Sequence, residues 1–179
     1  MSLPPFAAPL VVRPLHPGDV EALLHIQTVC YGDGFQESRE VFTQRLSSPL
    51  HCSLGVVLED DAHGSTLQAY LAAYWSTLGK ITPLNGVFES GGPGIPVLYL
   101  HDMSVLPALA GQGVARHLTL QLLTQARARG LAHAALVSVQ GSRSYWERQG
   151  FSVTSVNDAQ QYKHLQTYGE GASYMTMKL

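Results

Sequence analysis

The sequence predicts an α/β fold, a mixed sheet with helices on both faces. Three observations predict it. Residues 131–139, L-A-H-A-A-L-V-S-V, are a continuous apolar run of the kind a strand shows when both its faces are covered. Residues 97–105 read as a central strand, apolar but for H-D and a serine, followed by A-G-Q-G and then by the strongest helical pattern of the chain. Strand-like and helix-like segments alternate along the sequence, with no internal repeat and no linker that would split it. The 179 residues therefore read as one domain, 1–179.

Taken in order, L-V-V-R-P-L (10–15) is a first short strand. H-P-G-D (16–19) is turn chemistry, and Asp19 is a candidate cap for a helix from Val20 to about Cys30. Leu23, Leu24 and Ile26 supply the apolar stripe of that helix. A second helix is expected over 39–46, with Val41, Phe42 and Leu46 on one side. Between them, Tyr31-Gly32-Asp33-Gly34-Phe35 is a loop holding two aromatics and an acid. Residues 52–58 and 67–75 form a hairpin around the polar E-D-D-A-H-G. Residues 76–96, rich in proline and glycine, are a long loop of the kind that is functional or mobile. The central strand covers 97–105. The helix over 114–129 repeats Val114, Leu118, Leu122 and Ala126 every fourth residue, and Gly130 stops it. After the strand at 131–139 come a short helix over 142–149, ended by Gly150, and final strands at 151–156 and 174–178.

Composition narrows the function. Hydrophobic residues make up 45% of the chain and charged residues 13%, so a packed core forms. The net charge is −2 and no basic block occurs, which argues against a nucleic-acid binder. Cys30 and Cys52 make neither a disulfide framework nor a CxxC site, and the eight histidines lack ligand spacing, so no metal is expected. The N-terminus has no positive segment of a signal peptide and no apolar run is long enough for a membrane span. A soluble cytoplasmic protein is expected.

The turn A-G-Q-G-V-A admits two readings. The first turn of a helix carries N–H groups without intrahelical partners and a partial positive charge. Gly111 and Gly113 leave those groups open to an anion such as a pyrophosphate. Alternatively, the two glycines only tighten a strand-to-helix turn. The stretch is neither a Walker A loop nor a complete G-x-G-x-x-G.

The block Y-L-H-D-M-S-V-L-P-A-L-A-G-Q-G-V-A-R-H-L resembles the cofactor motif of the GNAT family of N-acetyltransferases, [Q/R]-x-x-G-x-[G/A]. Gly113 and Ala115 match its last two fixed positions, while Ala110 stands where glutamine or arginine is usual. S-Y-W-E-R-Q-G-F resembles the family's later x-F-Y-E-K-x-G-F, and V-V-R-P-L-H-P-G-D-V-E-A-L-L resembles its opening strand and helix. The resemblance spans nearly the whole chain in the right order. It implies a strongly twisted mixed sheet of six to seven strands, with acetyl-CoA as acetyl donor. It also implies that the central strand and its neighbour splay apart. The pyrophosphate would lie on Gly111, Gln112, Gly113, Val114, Ala115 and Arg116, and the pantetheine along Met103, Ser104 and Val105. Ser142 and Trp146 would border the thioester.

Acetyl transfer to an amine needs a base for the amine, a polarised carbonyl and a proton for the leaving thiolate. The resemblance puts His101 where some members carry a histidine base, with Tyr99 one strand repeat earlier. Strand alternation sets Tyr99, His101, Met103 and Val105 on one face and Leu100, Asp102 and Ser104 on the other, unless a bulge intervenes. His101 is either that base or a core-edge histidine satisfied by a carbonyl. The family's usual tyrosine aligns with Trp146, and Tyr145 falls one place earlier, about 100° around the helix. Tyr145, another group or solvent would then protonate the thiolate. Tyr31, Phe35 and Asp102 are candidate contacts for the acceptor, joined by Asp33 and Trp75, with Trp75 better read as core. The loops 31–37 and 76–96 are candidate lids. The implied partner is a small-molecule or peptide amine, and a homodimer is admitted. Two other functions stand beside this one: a decayed acyl-CoA-binding module, and an unrelated nucleotide binder using the glycine turn.

Overall fold

The computed structural model describes residues 10–32, 34–58, 66–89 and 92–179. Asp33, the E-D-D-A-H-G turn and the first nine residues lie outside them. The elements follow as β1 (Leu10–Pro14), α1 (Val20–Tyr31), α2 (Arg39–Ser47), β2 (Leu54–Leu58), β3 (Leu67–Thr77) and β4 (Pro96–Val105). Then come α3 (Val114–Ala128), β5 (His133–Ser138), α4 (Arg143–Arg148), β6 (Ser152–Val153), α5 (Ala159–Gln166) and β7 (Ser173–Lys178). The seven strands form one sheet in the order β1-β2-β3-β4-β5-β7-β6. β4 and β5 pair in parallel and the other neighbours are antiparallel. Among the described residues, no helix is long and apolar enough to cross a membrane.

The amphipathic stripe read from the sequence explains the layering. Val114, Leu118, Leu122 and Ala126 of α3 pack with Trp146 of α4 on one face of the sheet, against Leu71, Leu98, Leu100 and Leu136. Leu23 and Ile26 of α1 and Phe42 and Leu46 of α2 cover the other face over Val57, Tyr70 and Ala72. The second face of β4 and β5, Val97, Tyr99, Ala135 and Val137, is covered by Ile81, Phe88 and Tyr168, so both strands are buried on two sides, which is why β5 reads as an unbroken apolar run.

Two local expectations need correction. Asp19 does not cap α1 through its side chain. Its carboxylate accepts from Arg13 at 2.8 and 2.7 Å and from the His16 N–H at 2.9 Å, tying β1 to the turn before the helix. The helix α5 was not anticipated because none of its residues is buried, so it has no apolar stripe to read. Its one signal is the cap: Asp158 accepts from the N–H groups of Gln160 and Gln161. The segment following β3, expected to be functional or mobile, is anchored from Gly79 to Leu84. Gly79 N–H donates to Tyr174, Ile81 N–H to Gln161 and Leu84 N–H to Thr167, while Tyr168 and His164 donate back to the carbonyls of Thr82 and Ile81. It is a strap fixed to the C-terminal third of the chain.

The feature that shapes the site is a bulge in β4. Ala72 pairs with Asp102 and Ala73 with Leu100, so His101 is an extra residue in the ladder. The alternation changes phase there. Leu98, Leu100, Met103 and Val105 pack on the α3 face. Tyr99 belongs to the opposite face, and His101 and Asp102 both follow it. This replaces the strict alternation expected from sequence: Met103 and Val105 do not share a face with His101, and Asp102 does.

Candidate active site

β4 and β5 pair only from Leu98–Ala134 to Leu100–Leu136 and then part, although β4 runs on to Val105. Leu106 N–H donates to Gln68 on β3 at 3.0 Å. By the two-residue alternation Ser104 faces β3 as well, so Met103 and Val105 turn their backbone groups to the side β5 has left. The Met103 carbonyl there accepts from the Tyr31 hydroxyl at 3.0 Å and that of Val105 from Cys30 Sγ at 3.4 Å. Their N–H groups are the donors of this edge. A cleft of about 190 Å³ fills the gap, lined by Leu100, Met103, Leu136, Ser142, Tyr145 and Trp146. A smaller compartment of about 30 Å³ adjoins it, lined by Phe35, Glu37, Leu84 and Tyr168. Tyr31, His101, Asp102, Val137 and Val139 border both.

At the junction the His101 side chain is 1% exposed. Its Nε2 lies 3.1 Å from Glu37 Oε1. Glu37 is paired with Arg45 at 2.7 Å and through a second, shorter bond. Its Oε1 also accepts the Asn85 N–H at 3.0 Å. Burial opposes a charge on Glu37, but His101 and Arg45 outweigh it and hold the carboxyl well below the usual carboxylate range. An ionised Glu37 accepts, so Nε2 carries a proton, and in the neutral ring Nδ1 then presents a lone pair. Nδ1 is buried and is the ring nitrogen without a hydrogen-bond partner among the described residues.

Asp102 is held apart from this pair. It accepts from Tyr31 at 2.6 Å, Gln27 at 3.2 Å and Tyr70. Burial and the charge of Glu37 raise its carboxyl above the ordinary value, against the pull of those hydrogen bonds. Gln27 joins the two acids, since its Oε1 also accepts the Glu37 N–H at 2.9 Å.

At the other end of the cleft β4 leads into the glycine turn. Gly111 and Gly113 have φ of +76° and +79°, a left-handed conformation that by itself favours glycine. A Cβ at either position would meet no protein atom within 4 Å. It would stand instead in the open space before α3. The first helical bond runs from His117 N–H to Gly113 O, so the N–H groups of Val114, Ala115 and Arg116 precede it. Bare donors at one end and a strand-width gap with free edge N–H groups at the other fit a diphosphate carrying an amide-bearing arm.

The Acetyltransferase (GNAT) family matches residues 20–151. The chain belongs to this family. No curated protein matches the sequence significantly. Among solved structures, the ribosomal-protein-S18-alanine N-acetyltransferase of Escherichia coli superposes with a TM-score of 0.66 at 16% identity, covering 94% of this chain and 93% of that one. Arabidopsis thaliana NAA60, in complex with a bisubstrate analogue, gives 0.68 at 16%, covering 95% and 99%. The GphF GNAT-like decarboxylase in complex with isobutyryl-CoA gives 0.73 at 16%, covering 94% and 98%. At this identity the likeness is one of fold.

In this acetyltransferase His101, Tyr145, Met103, Ser142 and Trp146 meet in the larger cleft, and Tyr31, Phe35 and Asp102 border the smaller compartment. Other expected residues stand elsewhere. Tyr99 is fully buried beside Tyr74 and His101 and borders neither space. The Ser104 side chain is 3% exposed and packs by Cys30 and Tyr31. Trp75 stacks under Arg129, 4.4 Å from its guanidinium carbon. Burial pushes the Cys52 thiol up to about 12, and burial with the Asp102 charge raises Cys30, so neither is a thiolate nucleophile. Glu37, Arg45, Gln27 and Tyr70 were missed, because no local pattern marks a charge pair that closes only across the fold.

Gly113→Ala forces a left-handed alanine at a cost of about 1 kcal/mol and sets a methyl before the α3 donors. Affinity for acetyl-CoA should fall about tenfold, the equivalent of one charge-assisted hydrogen bond. Isothermal titration measures it; unchanged affinity would show that these donors do not hold the nucleotide.

Proposed function

We propose that this acetyltransferase moves an acetyl group from acetyl-CoA to a primary amine of a small molecule or peptide by direct attack. The observation that carries the reading is the free Nδ1 of His101, fixed by Glu37 beside the gap between β4 and β5. Acetyl-CoA supplies the activated acetyl group. The amine nitrogen forms the new C–N bond, the C–S bond breaks, and the amine proton passes to Nδ1 directly or through one water. The edge N–H groups of Met103 and Val105 hold the arm, and the N–H groups of Gly113, Val114, Ala115 and Arg116 hold the diphosphate, with Gly111 and Gln112 shaping the turn.

Tyr145 serves as donor to the departing sulfur. Burial, partly offset by the Thr119 hydroxyl, raises its phenol above the ordinary value, so it keeps its proton at neutral pH. Trp146 walls the channel and Ser142 closes its floor. The chain acts as one catalytic domain, supported by a sheet that runs from β1 to β7 without division. The two unpaired cysteines support a reducing, cytoplasmic setting.

Thiol release with a panel of amines, and mass detection of the acetylated product, tests the reading. Tyr145→Phe should lower kcat by about tenfold to a hundredfold, the lower part of the general-acid range, with acetyl-CoA affinity retained. Unchanged kcat would remove Tyr145 as the acid. Release of CoA without an acetylated amine would remove the proposed reaction.

A further inference from the structure

The charges at the junction of the two compartments do not balance. Glu37 is paired with Arg45, so those two cancel. Asp102 has no such partner. Among the described residues its hydrogen bonds come from the Tyr31 and Tyr70 hydroxyls and the Gln27 amide, all of them neutral. No lysine or arginine lines either space among the described residues. A carboxylate offers about four lone-pair sites. Oδ2 takes Gln27 and Tyr70, whereas Oδ1 takes Tyr31 alone, so Oδ1 keeps a site open. Burial and the charge of Glu37 hold the Asp102 carboxyl above its ordinary value, a cost that a cation beside it would offset. A second observation comes from the next residue in the strand. The bulge turns His101 to the same face, its side chain is buried, and its Nδ1 has no partner among the described residues. Both residues border both spaces.

We propose that Asp102 is the counter-ion of the acceptor: the amine enters as its ammonium, sits on Asp102 Oδ1, and from there passes a proton to His101 Nδ1. The inference rests on the acetyltransferase reading and names the form in which that site takes its substrate. The smaller compartment of about 30 Å³ has room for roughly two water-sized groups, enough for the ammonium and its first carbon. The step conserves charge. One N–H bond of the ammonium breaks, its electron pair stays on the amine nitrogen, and the proton bonds to Nδ1. The cation is then the imidazolium, which Asp102 also favours, so the transfer creates no unpaired charge in a buried place. The freed lone pair forms the C–N bond as the C–S bond breaks. The amide product is neutral and loses the pairing with Asp102, which favours its release. An alcohol of the same shape never gains that pairing, so the site separates amines from alcohols at the binding step.

The full-length protein loaded with CoA, which has no acetyl group to transfer, isolates binding. Pentylamine and 1-pentanol share length and shape, and at neutral pH only the first is a cation. By isothermal titration at fixed ionic strength, pentylamine should bind at least about tenfold more tightly, the scale of one charge-assisted hydrogen bond. Asp102→Asn, which keeps an accepting oxygen, should abolish that preference and leave CoA affinity unchanged. Pentanol binding as well as pentylamine overturns the proposal, and this comparison needs only the parent protein. A preference that survives Asp102→Asn overturns it too, as does failure of both ligands to bind the CoA-loaded protein. Failure to bind CoA is a different result, which fells the acetyltransferase reading and this proposal with it.

Discussion

His101→Ala should lower kcat by about 10²- to 10⁴-fold, the range for a lost general base, and leave acetyl-CoA binding intact. The residue borders both compartments, where the proposed reaction would bring the donor's acyl end and the acceptor together. Its Nε2 proton is spoken for by Glu37, so one nitrogen is free and oriented. Alanine also leaves Glu37 one donor short. His101→Gln separates the two effects, since its amide can still donate to Glu37 but cannot take a proton at neutral pH. Both variants should therefore lose turnover, while glutamine keeps more of the Tm. Single-turnover thiol release and thermal melts read the two quantities. A glutamine variant with native kcat would end the role given to the imidazole.

The second large effect is on stability. Arg45 and Glu37 are 1% and 2% exposed. Arg45→Met removes the main partner of a buried carboxylate, which costs about 3–5 kcal/mol. At about 2–4 °C per kcal/mol for a domain of this size, Tm should fall by roughly 6–20 °C. Adding Glu37→Gln should recover part of the loss, because no buried charge is then left without its partner. A single variant as stable as the parent would mean that Glu37 does not rely on Arg45.

The same pair fixes the sign of the pH dependence. Glu37 has a folded value depressed below its unfolded one, so its contribution is present above about pH 4.3, the unfolded value. It drains as pH falls towards the depressed value. Asp102 works in the opposite sense. Its folded value is raised, so its ionisation costs stability as pH climbs from the unfolded carboxylate value through the raised one. Arg45→Met should flatten the acid limb of the Tm profile and leave the Asp102 limb in place.

Much of this was readable in the residues. Period-four spacing in Val114, Leu118, Leu122 and Ala126 marks α3, and the unbroken run at 131–139 marks a strand covered on both sides. His101 and Asp102 stand out as polar residues in an apolar strand. That both turn to one face was not readable, because the bulge depends on how β4 pairs with β3, a partner some thirty residues away in sequence. The same holds for Glu37 and Arg45. In sequence they are an acid just before a helix and a base in its last turn, and the strap at Asn85 and Gly86 closes over them. The long loop reads in sequence as functional or mobile, since its length, proline and glycine mark it as irregular. Irregular backbone still has donors and acceptors to satisfy, and α5 and its flanks satisfy them.

That anchoring has a consequence for biosynthesis. Tyr168 forms part of the acceptor wall, and Gln161, Thr167 and Tyr174 hold the strap that encloses Glu37. β7 follows the other six strands in the chain and inserts between β5 and β6. During synthesis the strap therefore cannot be fixed until α5 and β7 have emerged, although β1 to β4 and α3 precede them in the chain.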